Sequence, residues 1–233
     1  MAWIRFDKLN KNKLIHRLAL SNYEHNTSLG IRTYNDCDCG NLDVLTKKWH
    51  ISSKYSSITE ICGKRLLRCQ YSGNFSKMKF SIARMSNTCC EVIAVYNALV
   101  LSGKITDDNS FDAYFKLASE FVVNGLFLTK SGFFGSSPKK ISSCLDAYGQ
   151  EHTVYTSLSE LDRDVKDGDI IIVAYRHHLV CMHTYCCVKL GNEIVSINRG
   201  SGCLYEWKNK SITECLKGNS FIIATVIKSN TVE

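Results

Sequence analysis

The chain has 233 residues, 45% hydrophobic, 22% charged and 10% aromatic, enough apolar material for one large core or two modest ones, which excludes intrinsic disorder. One proline and fourteen glycines exclude collagen-like and linker-like architectures. Basic residues exceed acidic ones, 29 against 22, for a net charge of +7. They are scattered in ones and twos, such as Lys47 and Lys48 or Lys139 and Lys140, with no RNA- or DNA-binding signature; they read as a solvated face, and no nucleic-acid partner is expected.

At the N-terminus Arg5, Asp7 and Lys8 appear before any apolar stretch, so no signal peptide is expected and the chain reads as cytosolic. Its twelve cysteines are then expected to be mostly reduced, and their spacing forms no CxxC framework. A zinc site from Cys37, Cys39, Cys62 and Cys69 is the weaker alternative; no metal is expected. Residues 1–80 are polar and irregular, with short apolar clusters such as Leu14, Ile15 and Leu18. They read as an N-terminal lobe or extension (a propeptide, a substrate-recruiting lobe or part of the fold), and residues 81–233 as the main domain.

Thr88 followed by Glu91 matches a capping box, and the run 92–101 behind it is apolar nearly all round, which predicts a central buried helix ending at Gly103. This longest apolar run is about half the ~20 residues a membrane span needs, so no span is expected. Residues 111–124, stopped by Gly125, predict a second helix. Residues 138–147 predict a third, opening at Pro138, where a missing N–H costs nothing. Strands are predicted over 152–155, 169–175, 180–190, 193–198 and 220–227, with a helix over 158–165. Helices first and antiparallel strands second is an α+β pattern, and Gly191-Asn192 is a tight hairpin signal.

A nucleophilic thiol needs its thiolate stabilised, and the unpaired N–H groups of a helix start do this. Cys89 and Cys90 both fall in the first turn of the central helix, so position alone does not choose between them. A two-residue turn at Gly191-Asn192 sets Leu190 opposite Glu193 and His183 opposite Gly200, which puts Asn198 diagonal to His183 on the same face. An asparagine there is suited to hold one ring nitrogen and aim the other at a thiol. His177 and His178 face other residues in this register and read as strand-end or loop positions. His16, His25, His50 and His152 read as structural.

The segments NTCCEVIAVYNALVLSG (87–103), GFFGSSPKKISSCLDAYG (132–149) and GDIIIVAYRHHLVCMHTYCCVKLGNEIVSINRG (168–200) together resemble the core of papain-like cysteine peptidases. The nearest branch is the bacterial one related to the peptidases that remove double-glycine leaders from bacteriocin precursors. The resemblance implies a buried central helix packed on an antiparallel sheet and hydrolysis of a peptide or isopeptide bond through a thioester. It implies Cys90, with the small Ala94 four positions on, as nucleophile, His183 as acid and base, and Asn198 as the residue orienting the ring. Choosing Cys89 instead loses the small residue at that spacing. Two departures stand out. Glu91 occupies a position that is commonly glycine, and Arg84 stands where an oxyanion-hole glutamine is usual, so that Asn87 and the Cys90 N–H become the expected donors. No cofactor is implied, the partner is a peptide or protein substrate, and thiol and imidazole are expected to form a thiolate–imidazolium pair. An acyltransferase of the same layout and a catalytically silent peptide-binding module are the alternatives. Phe133 and Phe134 either line an apolar groove or pack the third helix onto the core.

Overall fold

The computed structural model describes residues 2–31, 58–68, 70, 75, 77–106, 110–126, 135–178, 181–198 and 207–229. Cys37, Cys39, Cys69, Phe133, Phe134 and Gly200 lie outside the described residues. The fold is α+β. Its centre is a six-stranded antiparallel sheet with helices on both faces.

In chain order, a helix α1 (Leu14–Ser28) precedes the hairpins β1 (Ile58–Ile61)–β2 (Lys64–Leu67) and β3 (Lys79–Phe80)–β4 (Ala83–Arg84). The β1–β2 turn places Cys62 and Gly63 at φ of 53° and 68°, the two positive values a tight two-residue hairpin turn requires. None of these four strands, nor α1, was predicted. In α1 the fully buried residues are His16, Ala19, Asn22 and Asn26, while Ile15, Leu18 and Tyr23 pack against the core only partly buried, so polar residues interrupt the inward stripe and weaken its apolar period. Hydrogen bonds hold the polar part of that stripe. Asn22 Nδ2 donates to the Ser81 carbonyl at 3.1 Å, and Asn26 exchanges two bonds with the Lys79 backbone at 2.7 and 3.0 Å.

A single turn, α2 (Met85–Thr88), then leads into α3 (Cys90–Leu101), whose residues from Glu91 to Val100 are all buried, as its all-round apolar sequence predicts. Helix α4 (Phe111–Asn124) has the bounds expected from sequence, with Ser110 accepting the Asp112 N–H at its start and Gly125 at its end. Pro138–Lys140 form a 3₁₀ turn that opens α5 (Ile141–Ala147). Strand β5 (Thr153–Tyr155) and helix α6 (Leu158–Asp164) follow, then β6 (Ile170–His178), β7 (Cys181–Leu190) and β8 (Glu193–Ile197). Strand β9 (Trp207–Asn209) and helix α7 (Ile212–Leu216) are additions to the predicted set, and β10 (Ser220–Ile227) closes the chain. Both are short. Asp162 of α6 caps α7 from outside, accepting the Ile212 and Thr213 N–H groups, a tertiary contact no local pattern announces.

The sheet runs β5-β10-β6-β7-β8-β9. Strand residues alternate between its faces as pleating requires. Ile170, Ile172, Cys186, Val188, Val195 and Ile197 pack under α3 and α4, while Ile171, Val173, Tyr175, Tyr185, Cys187 and Ile194 face a smaller core with Leu161 of α6 and Ile212 and Leu216 of α7. Ala19, Leu66, Leu67, Phe75 and Phe80 belong to the larger of these cores, so the described parts of residues 1–80 are built into the same hydrophobic interior as α3. The N-terminal arm is fastened there too. Trp3 Nε1, Arg5 Nε and the Phe6 N–H all donate to the buried carboxylate of Glu120, at 2.9, 3.1 and 2.9 Å. Among the described residues no helix is long and apolar enough to cross a membrane.

Candidate active site

Cys90 is the first residue of α3, and the sequence expectation of how that helix starts is corrected by the structure. Thr88 does not cap it: its hydroxyl donates to the Arg84 carbonyl at 3.2 Å, and Cys89, at φ −100° and ψ 15°, occupies the cap position without a side-chain bond to the helix N–H groups. The capping box fails because Glu91 is turned inward. It is 2% exposed, and neither its Oε1 nor the hydroxyl of neighbouring Ser136 has a well-formed hydrogen bond among the described residues. Burial pushes the Glu91 carboxyl well up, and the nearby Cys90 thiol adds to the rise, both favouring the neutral acid.

The two adjacent cysteines are separated by the helix start. Cys89 is fully buried, its thiol raised by desolvation, while Cys90 is partly exposed. Burial raises the Cys90 thiol as well. The backbone N–H groups of Thr184, Glu91 and Cys90 itself face the sulfur and oppose that rise. The thiol therefore meets β7 at the residue that follows His183.

The β7–β8 hairpin has the predicted register, with Leu190 opposite Glu193 through to Cys186 opposite Ile197. His183 lies opposite Tyr175 on β6, their rings edge to face at 5.8 Å, on the sheet face that also carries Tyr185. Asn198 comes to His183, but not with its side chain. At Asn198 the backbone turns to φ 59°, a conformation asparagine tolerates, and strand β8 ends. The turn presents the Asn198 carbonyl to His183 Nε2 at 2.6 Å. A carbonyl can only accept, so Nε2 carries the proton, and in the neutral ring Nδ1 is the basic nitrogen.

Burial lowers His183 to about 4, partly offset by that carbonyl. With the thiol raised and the imidazole lowered, the resting pair is thiol and neutral imidazole rather than the expected thiolate–imidazolium pair. Because strand residues alternate, the His183 ring lies with Tyr175 and Tyr185 on the sheet face away from α3, and among the described residues the thiol makes no hydrogen bond to it: the structure brings His183 to Asn198 but not to Cys90. Unfolded histidine binds a proton near 6.5 and folded His183 only near 4. Stability from this group is therefore complete above pH 6.5 and is lost as pH falls toward 4. Urea denaturation at pH 7 and pH 4.5 is expected to show a loss on the order of 2–3 kcal/mol in the parent that His183→Gln does not share.

Asn87, the expected oxyanion donor, is exposed on α2, and its Oδ1 accepts the Ser86 hydroxyl at 3.3 Å; no described contact carries its amide toward the sulfur. A different amide lies at the site. Gln70, one of only two glutamines in the chain, is 3% exposed and interlocks with Asn198: its N–H donates to Asn198 Oδ1, and its Oε1 accepts from Asn198 Nδ2, both at 3.3 Å. Its own Nε2 donates to the Ser86 carbonyl at 3.0 Å. Sequence reading passed over Gln70 because it stands far from Cys90 in a stretch without periodicity; glutamine scarcity was the signal available. His177 sits at the exposed end of β6, its Nδ1 3.0 Å from Asn219 Oδ1, away from the cysteine.

Comparisons with protein-family models, with curated proteins and with solved structures give no match for this chain.

Proposed function

We propose that this chain is a papain-like cysteine peptidase, hydrolysing a peptide or isopeptide bond through a thioester on Cys90. The observation that carries the reading is a thiol at the start of a buried helix set against β7 one residue from a histidine, although the ring itself lies on the other face of the strand. A partly exposed thiol on the first residue of a buried helix lies against the Thr184 N–H, and the preceding residue is a histidine whose Nε2 is anchored so that Nδ1 is the base.

Because both groups rest neutral, His183 acts as a general base during attack. As Cys90 Sγ bonds to the substrate carbonyl carbon, the thiol proton passes to His183 Nδ1, and the developing oxyanion is received by the Cys90 N–H. The imidazolium then returns that proton to the leaving amine as the C–N bond breaks. Water, deprotonated by the same nitrogen, opens the thioester and restores the thiol. Taking the thiol proton requires Nδ1 to come past the end of β7 from the face the ring shares with Tyr175, with Nε2–H still on the Asn198 carbonyl. No cofactor enters these steps.

The raised thiol, the lowered imidazole and the placing of the His183 ring on the sheet face away from α3 favour a second reading, a silent peptide-binding module on the same scaffold. Acid-quenched mass spectrometry after exposure to 4-nitrophenyl acetate, together with cleavage profiling on a peptide library, separates the two. An acyl adduct on Cys90 with library cleavage is the expected result. An adduct that an added amine converts to amide in preference to hydrolysis identifies the acyltransferase. Acylation of Cys89 moves the nucleophile by one residue, and no adduct and no cleavage leaves the silent module.

A further inference from the structure

Resting on the acyl-transfer reading, we propose that Gln70 is a positioning residue of this site: its amide locks Asn198 to the Ser86 carbonyl and thereby holds the acceptor of His183 in register with the helix start that carries Cys90.

The hydrogen-bond identities are determined from both ends. The Ser86 carbonyl can only accept, so the Gln70 atom facing it is Nε2 and the atom facing Asn198 is Oε1. Independently, the Gln70 N–H can only donate, so the Asn198 atom facing it is Oδ1 and the one facing Gln70 Oε1 is Nδ2. The two assignments agree on the shared bond, and both side chains are buried, Gln70 at 3% and Asn198 at 2% exposure. Three carbonyl or amide groups from distant segments are thereby satisfied at once, where burial makes each unpaired group costly.

Each end of the lock touches something the chemistry needs. At one end, the two bonds to the Asn198 side chain hold a residue whose φ of 59° is what aims its carbonyl at His183. At the other, the Ser86 carbonyl is the group that an uninterrupted helix would bond to the Cys90 N–H, four residues on. With Gln70 Nε2 on that carbonyl and the helix broken at Cys89, the Cys90 N–H faces its own sulfur, where an oxyanion forms. One side chain thus serves both the base and the oxyanion donor without contacting the substrate. Gln70 and Asn198 lie 128 residues apart, so the link is wholly tertiary.

The test uses the full chain labelled with ¹⁵N, following hydrogen exchange of the His183 Nε2–H by NMR and acylation of Cys90 by 4-nitrophenyl acetate. Two variants remove the lock from opposite sides. Gln70→Met keeps the volume and loses the amide; Asn198→Gly keeps the backbone carbonyl and the positive φ and loses the amide. Each is expected to speed Nε2–H exchange and slow acylation by roughly tenfold, about the effect of one buried hydrogen bond. The effects in the double variant are expected to fall short of the product of the single ones, since both variants remove the Asn198 Nδ2–Gln70 Oε1 bond while each also removes one bond of its own. Unchanged exchange in Asn198→Gly overturns the proposal even if Gln70→Met fails to fold, and so do single effects that multiply in the double variant. Exchange that responds while Cys90 never acylates supports the lock and defeats the acyl-transfer reading; acylation with unresponsive exchange does the reverse.

Discussion

Replacing His183 with glutamine is expected to lower the hydrolysis rate of a library-selected peptide by about 10²–10⁴-fold, the range general-base catalysis supplies, with KM little changed. Glutamine preserves the volume and a side-chain N–H able to reach the Asn198 carbonyl, but offers no basic nitrogen to the thiol. Cys90→Ala is expected to abolish both turnover and the acyl adduct, while Cys89→Ala leaves the adduct in place, because Cys89 is fully buried and its thiol is raised by desolvation. The activity of the parent is expected to fall on the acid side as His183 protonates near pH 4, below the usual histidine range, since a protonated ring accepts nothing from the thiol. Steady-state kinetics of the parent, His183→Gln and Cys89→Ala between pH 4 and pH 9, with Cys90→Ala as the blank, check this. A His183→Gln protein as active as the parent would sink the assignment of the base.

Glu120→Ala is expected to destabilise the chain by about 2–4 kcal/mol, because it leaves three donors of the N-terminal arm without an acceptor and opens a cavity behind them. Glu120 is 1% exposed and receives Trp3 Nε1, Arg5 Nε and the Phe6 N–H, while the Arg5 guanidinium also stacks over Tyr148 at 3.5 Å. Asn124 fastens the same arm by two bonds to the Ile4 backbone. Burial raises the Glu120 carboxyl against the pull of these donors. Thermal unfolding is expected to shift down by roughly 5–15 °C. Glu120→Gln, which keeps one carbonyl acceptor, is expected to lose less than half of that. Deleting residues 2–9 is expected to match Glu120→Ala, since the arm and its acceptor act as one unit. An unchanged melting temperature on deletion would mean that the arm is an appendage, as a removable propeptide requires.

Amphipathic period and turn chemistry are local, and where they are strong the chain reads directly. The bounds of α4 follow from Ser110 and Gly125, the burial of α3 from an apolar run with no polar face, and the β7–β8 register from Gly191-Asn192. Elements held by hydrogen bonds instead of apolar stripes leave no such trace. Helix α1 buries Asn22 and Asn26; α7 does carry a local signal, Ser211 accepting the Glu214 N–H ahead of buried Ile212, Cys215 and Leu216, but at five residues it is too short for its period to stand out.

The site divides the same way. Residue type and spacing by themselves determined that a cysteine opens the central helix and that His183 and Asn198 are brought together across the hairpin, because backbone pairing is periodic and counts along the chain. Tertiary structure alone decided which atom of Asn198 meets the ring, because that depends on a single positive φ at the strand end. It also decided that Glu91 points inward, that the His183 ring lies on the sheet face away from α3, and that Gln70 joins Asn198 to Ser86 ahead of the helix start. Burial and long-range amide pairing set those outcomes, and both are sums over neighbours that only the folded chain assembles.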